Sequence, residues 1–164
     1  KFFRIRPASF PTLRISQFAN LIYKSNNLFS KLLEAEEIKS LRMLFDVCAS
    51  DYWQTHYNFD KETDPSPKKL GKSLVDNILI NAWIPLLFKY GELHGDDRYK
   101  ERALSFLHQL PPEKNNIVRL WIDEGVMPKN AAESQSVIQR FTEYCSRKKC
   151  LECQLAYRFI KKQS

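Results

Sequence analysis

Apolar residues in this chain recur at three- and four-residue intervals, without sustained two-residue alternation. That is the period of helices rather than strands. Ile15, Phe18, Ala19 and Ile22 fall on one face of a helix expected to run from Pro11, a good first helical residue, to about Lys24. Ser25-Asn26-Asn27 breaks it. Leu28, Leu32 and Leu33 predict a short second helix, and Ile38, Leu41, Leu44 and Phe45 a third. Ser50-Asp51 can cap a short turn through Tyr52 and Trp53. Asp60 to Lys69 is polar, holds Pro65 and Pro67, and is expected to be an exposed loop.

The stretch from Leu74 to Tyr90 is apolar nearly all round, which predicts a buried helix kinked at Pro85 and closed by Gly91 and Gly95. Asp96 or Asp97 can cap the next helix, in which Tyr99, Ala103, Phe106, Leu107 and Leu110 share a face and which Pro111-Pro112 stops. Asn116 can start a helix carrying Ile117, Leu120 and Trp121, with Gly125 as its C′ residue. Asn130 followed by Glu133 approximates a capping box ahead of Val137, Ile138, Phe141 and Cys145. Leu155, Phe159 and Ile160 mark a last helix. The expected fold is all-α, a single irregular bundle of about seven helices with a central, largely buried helix near 74–90. Nothing reads as a repeat or a dividing linker, so residues 1–164 are expected to form one helical domain.

Composition adjusts this picture only slightly. A chain of 164 residues that is 43% hydrophobic and 27% charged can bury a core and argues against disorder. Four glycines argue against a Gly-rich phosphate loop. No apolar run follows Lys1-Phe2-Phe3-Arg4 as a signal peptide would require. Leu74 to Phe88 contains Asp76, Asn77, Asn81 and Pro85 and is too short and polar for a bilayer, so no membrane association is expected. The only methionines are Met43 and Met127, so the chain is expected to be a fragment of a longer protein.

The net charge of +7 is unevenly laid out. Residues 1–33 carry +6 with no acid, residues 140–164 carry +5, and the middle carries −4. If the two ends meet, they make one basic face able to attract polyanions by counterion release. Arg4, Arg6, Arg14, Arg147, Lys148 and Lys149 are the candidate nucleic-acid contacts, with DNA or RNA as the partner. The other reading is an ordinary solvated surface, or one covered by a partner domain. Phe2, Phe3 and Phe10 interleave with Arg4 and Arg6, and docking onto a preceding domain is the preferred reading for them.

Cysteine carries the most specific chemistry. Cys145-x4-Cys150-x2-Cys153 places three thiols where they can converge on one metal. Zinc wants four N or S ligands. The candidate set is Cys145, Cys150, Cys153 and His56, with Cys48, His94 or His108 as other sources of the fourth donor. An iron–sulfur cluster is the lesser alternative and would use Cys48. Lys148 and Lys149 favour thiolate. Equally, Cys150 and Cys153 can share a helix face as small buried hydrophobes. Uneven spacing and few cysteines suggest reduced thiols and a cytoplasmic setting.

The remaining constellations read as ordinary structure. Trp53-Gln54-Thr55-His56-Tyr57 is a core edge with a hydrogen-bonded His, or a stacking surface. Glu34, Glu36 and Glu37 form a solvated helix end, and no spacing singles out a catalytic triad.

Three stretches carry a resemblance: Arg6-Pro7-Ala8-Ser9-Phe10-Pro11-Thr12-Leu13-Arg14-Ile15, Tyr52-Trp53-Gln54-Thr55-His56-Tyr57, and Tyr144-Cys145-Ser146-Arg147-Lys148-Lys149-Cys150-Leu151-Glu152-Cys153. With them the chain resembles, over its whole length, the C-terminal part of a bacterial family called Domain of Unknown Function 2851, found mainly among Bacteroidetes. The resemblance implies an uncharacterised protein whose preceding, N-terminal part is similar to a PD-(D/E)XK nuclease. Any such activity would reside there, since this chain holds no catalytic motif. It also implies that Cys145, Cys150 and Cys153 are the family's three-Cys motif, with Ala156 departing from a Gly. The function expected is a helical accessory domain that binds nucleic acid beside the nuclease-like part. The rival is a structural or protein-interaction domain packed on that part.

Overall fold

A computed structural model describes residues 6–59 and 61–162. Contacts divide the chain into two compact units, the first ending at Trp83 and the second beginning at Ile84.

In the first unit, α1 spans Pro11–Ser25 with the proline in its first turn, where a missing N–H leaves no bond unmade. Asn26 and Asn27 both take left-handed backbone, and that pair turns the chain into α2, Leu28–Glu34. Then come α3, Ile38–Leu44, and α4, Asp51–Gln54. Ser50 holds the N-cap position of α4 without a side-chain cap bond. A small antiparallel hairpin follows, β1 His56–Asn58 and β2 Lys61–Glu62, pairing His56 with Glu62 and Asn58 with Lys61. Strands of three and two residues are too short to leave an alternation in the sequence, so the hairpin was not expected. The unit ends with α5, Lys72–Ile78, and a π-helical turn, Leu79–Trp83. The expected helix irregularity thus falls on this wide turn, ahead of Pro85. Leu41 and Leu79 are fully buried, and the Phe29 ring packs edge-on against Trp83.

Two expectations for this unit are corrected. The buried face of α1 is Leu13, Gln17, Leu21 and Ser25, not Ile15, Phe18, Ala19 and Ile22. A buried glutamine is affordable because both ends of its amide are bonded: Nε2 donates to the Lys68 carbonyl at 2.8 Å and Oε1 accepts from Arg14 at 2.8 Å. The loop from Asp60 to Lys69 is not exposed throughout, because Lys68 is buried and its carbonyl also accepts from the Ala49 N–H.

The second unit begins with α6, Ile84–His94, followed by α7, Asp97–Gln109, α8, Asn116–Asp123, and α9, Ala131–Arg140. After α9 come a π-helical turn Phe141–Cys145, a 3-10 turn Cys150–Glu152 and α10, Gln154–Lys162. Its caps follow the sequence closely. Asp96 accepts from the Arg98 N–H, Asn115 from Val118 and Asn130 from Glu133, while the Glu133 carboxylate reaches back to the Lys129 N–H. Gly95 and Gly125 have positive φ, and each terminates its helix with the paired 6→1 and 5→2 bonds of a Schellman motif. On α8 the buried residue is Val118, whereas Leu120 is exposed and Trp121 half-buried.

Gly91 does not close α6, as expected from the sequence; it lies inside the helix, where α7 approaches. A Cβ there would meet the Asp96 carbonyl oxygen at 2.8 Å and the Tyr99 Cβ at 2.9 Å. Alanine in mid-helix ordinarily gains about 1 kcal/mol over glycine. At this position the obstacle is backbone held in the Schellman turn, so Gly91→Ala is expected to lose about 1–3 kcal/mol instead. A thermal melt that is unchanged or raised would refute this.

Among the described residues the fold is mainly α-helical, with one small hairpin. The single, largely buried helix expected near 74–90 is instead α5, a π-helical turn and α6, and Ala82, Leu86 and Phe88 in it are exposed, so an apolar run did not mean burial all round.

Candidate functional site

The unexpected orientation of α1 produces its most distinctive surface. Ile15, Phe18, Ile22 and Tyr23 are 67%, 62%, 49% and 82% exposed. They lie on one side of a helix that contains no acidic residue. Lys24 near the end of the helix, Arg6 before it and Lys31 on α2 are exposed as well.

The candidate nucleic-acid residues fare unevenly. Arg4 lies outside the described residues. Arg6 is exposed, whereas Arg14 is half-buried against Gln17, and its burial lowers its pKa. Near the C-terminus Arg147 pairs with Glu143 at 3.0 Å and Lys149 with Glu152 at 3.2 Å. Lys148 takes left-handed backbone (φ 54°) at the turn after Cys145 and is exposed. Two of the three C-terminal bases therefore already face carboxylates.

The segment around α4 and the hairpin forms an aromatic cluster. The Tyr52 and His56 rings stack at 4.0 Å, Trp53 meets Tyr52 and Phe59 edge-on at 5.3 Å, and Tyr52 and Phe59 are exposed. His56 Nδ1 lies 2.9 Å from the Tyr52 carbonyl and 2.9 Å from Thr55 Oγ1. Beneath the cluster, Leu13, Ala49 and Trp53 form a core against which Tyr57 packs, and Thr12 donates to the Tyr57 carbonyl at 2.9 Å. Lys68, missed in the sequence because it sits in a polar loop, places its ammonium 3.9 Å from the Tyr57 ring centroid.

The four thiols are free. Cys145 and Cys150 are exposed and Cys153 is buried. Cys153 precedes α10 as a cap, and the Arg140 guanidinium donates to its sulfur at 3.4 Å. The Ala156 N–H, aided by the Leu155 N–H and Arg140, holds the Cys153 thiol below its ordinary value of 9.0, against the opposing effect of burial. Among the described residues no group of three or more His, Cys, Asp or Glu side chains is arranged to hold a metal.

The lowered thiol value has a consequence for stability. A group whose folded value lies below its unfolded one adds stability above the unfolded value and loses it as pH falls through the folded one. The wild-type melting temperature is therefore expected to gain, as pH rises toward 9.0, an increment that Cys153→Ser lacks. Parallel pH profiles for the two proteins would contradict the assignment.

Glu34, Glu36 and Glu37, with Lys31, Ala35, Ser40 and Leu44, line an open cleft of about 480 Å³. No helix among the described residues is long and apolar enough to cross a membrane.

The described residues thus define a mainly helical protein whose notable surfaces are an apolar, basic helix face and an aromatic hairpin. It belongs to the family described as Protein of unknown function (DUF2851), which matches residues 1–116. The match takes in α1 and the hairpin, whereas Cys145, Cys150 and Cys153 lie beyond it. Searches of curated proteins and of solved structures returned no match.

Proposed function

We propose that the chain is a protein-interaction domain that docks through the outward face of α1. The observation that carries this reading is the exposure of Ile15, Phe18, Ile22 and Tyr23 together on one short helix. Scattered exposed apolar residues are ordinary, but a contiguous stripe of four marks a binding surface. The exposed bases Arg6, Lys24 and Lys31 of the same acid-free stretch, which has no acid before Glu34, fit a partner that combines apolar and acidic surface. The nuclease-like N-terminal part implied by the family resemblance is the first partner to test.

Co-expression of that part with this chain should give a complex that survives about 1 M salt, where the screening length is about 3 Å. Phe18→Glu should abolish it while leaving the fold intact. A complex unaffected by Phe18→Glu, or one that dissolves in salt, would refute the reading.

The second reading is binding of nucleic acid, favoured by the same acid-free stretch of bases. It is the weaker of the two because Arg147 and Lys149 are already paired and Arg14 is half-buried. It calls for affinity for a single-stranded oligonucleotide that falls with salt at a log–log slope of about −0.7 per phosphate contacted. Such a slope, insensitive to Phe18→Glu, would favour it over docking.

A further inference from the structure

Cys150 and Cys153 stand at the two ends of one 3-10 turn. The Cys153 N–H donates to the Cys150 carbonyl at 3.2 Å and closes it. Side chains three apart on such a turn lie on the same side. A turn of this kind keeps its end Cα atoms within about 7 Å, and a disulfide spans about 4.4–6.8 Å between them. The backbone therefore holds these two cysteines at a separation that a disulfide bridges. Cys145 ends a different turn, Phe141–Cys145, and the three thiols do not gather as a metal set.

The two thiols differ in access and in charge. Cys150 is exposed, whereas Cys153 is 6% exposed. A molecule from solvent can reach the first and not the second. The Cys153 sulfur accepts from the half-buried Arg140 guanidinium at 3.4 Å, and the Ala156 and Leu155 N–H groups at the start of α10 also bond to it. These donors favour the thiolate of the buried cysteine. An exposed thiol for entry and a buried thiolate beside it are the two parts that thiol–disulfide exchange needs.

We propose that Cys150 and Cys153 form a reversible exchange site for low-molecular-weight disulfides, with Arg140 stabilising the reduced pair. The Cys150 thiolate attacks one sulfur of the external disulfide. That S–S bond breaks, one small thiolate leaves and takes up the proton given up by Cys150, and a mixed disulfide remains on Cys150. The Cys153 thiolate then attacks the Cys150 sulfur. The second small thiolate leaves with the proton from Cys153, and the Cys150–Cys153 bond closes. Two electrons have passed from the cysteine pair to the external disulfide, which ends as two thiols. Reduction runs the same steps backwards, and the first bond to break expels the Cys153 thiolate. A stabilised thiolate leaves readily, so the closed form is easily reopened. All of these residues lie in the second unit, and the inference does not rest on docking at α1.

The test equilibrates the full chain with reduced and oxidised glutathione over a range of ratios, then applies acid quenching, alkylation, tryptic digestion and mass spectrometry. Cleavage after Arg140, Arg147, Lys149 and Arg158 puts Cys145 in one peptide and Cys150 with Cys153 in another. The peptide 150–158 should lose both thiol hydrogens and refuse alkylation as oxidised glutathione rises, and regain both thiols when the ratio is reversed. Cys153→Ser should instead accumulate glutathione on Cys150, because nothing resolves the mixed disulfide. If Cys153→Ser does not fold, Cys150→Ser is read, and its buried Cys153 should stay a free thiol over the same range. Arg140→Gln should make the disulfide about tenfold harder to reduce, as expected for losing one hydrogen bond to a charged group in the reduced form, and Arg140→Lys should recover part of that. A peptide 150–158 that keeps both thiols at every ratio overturns the proposal, as does a disulfide that joins Cys145 to either partner. Glutathione on Cys153 in folded Cys150→Ser overturns the order of attack, and an unchanged midpoint in Arg140→Gln overturns the part given to Arg140.

Discussion

Replacing Arg42 by alanine is expected to destabilise the first unit by about 3–5 kcal/mol, the usual loss when one member of a buried ion pair is removed. Arg42 Nε donates to Asp76 Oδ1 at 2.7 Å and ties α3 to α5. The two partners are not equivalent. The Asp76 side chain is 7% exposed and the Arg42 side chain 29%. Without Arg42 the carboxylate stays in the interior with no cation against it. Without Asp76 the guanidinium can turn its head toward water along its flexible stem. Asp76→Ala should therefore cost less, about 1–3 kcal/mol, while the double replacement Arg42→Met, Asp76→Leu should recover most of the loss, because apolar residues of similar volume remove both desolvation penalties. Hydrogen exchange of the α3 and α5 amides reads the effect within this unit. A milder loss for Arg42→Ala than for Asp76→Ala would refute the asymmetry.

The same interaction shows where sequence reading stops. Asp76 and Arg42 are 34 positions apart, and nothing local to either announces the other. What the sequence did disclose was local: Pro11 opening α1, Asn26-Asn27 ending it, the Asn130–Glu133 cap, and Gly125 closing α8. Each is settled within one or two helical turns by backbone geometry and a short side chain. Helix faces were less legible. The buried stripe of α1 contains Gln17, which reads as polar, and the exposed stripe contains Ile15, Phe18 and Ile22, which read as core. Hydrophobic periodicity therefore picked the wrong side, since the satisfaction of Gln17 depends on a carbonyl 51 residues away. Lys68 escaped for a related reason, being a cation in a polar, proline-containing loop whose burial depends on Tyr57 and Ser66. The stripe that carries the docking proposal is thus the one that periodicity assigned to the core, because which side of α1 faces in is decided by partners far away in the chain.

Truncating Phe106 to alanine is expected to cost the second unit about 3–5 kcal/mol, the range for removing a buried aromatic side chain and leaving a cavity. Phe106 is 1% exposed and shares the inner face of α7 with Ala103 and Leu110. Its surroundings have little freedom to collapse into the space. The Phe106 carbonyl accepts from the Leu110 N–H, and the Leu110 carbonyl accepts from the Ala131 N–H, so the end of α7 is bonded to the start of α9. Behind Ala131, the buried Ser134 hydroxyl is held by the Ala131 carbonyl and accepts from the Glu113 N–H. The end of α7 is thus tied to the start of α9 by backbone bonds, which limits how far the unit can relax and places the expected loss toward the upper end of the range. Leu104 lies on the same helix but is 50% exposed, so Leu104→Ala should stay within about 0.5 kcal/mol of wild type, as surface substitutions usually do. Phe106→Leu should fall between the two, because it refills part of the volume. Hydrogen exchange of the α7 and α9 amides measures all three variants on one scale, and equal losses for Phe106→Ala and Leu104→Ala would show that this face of α7 is not the core of the unit.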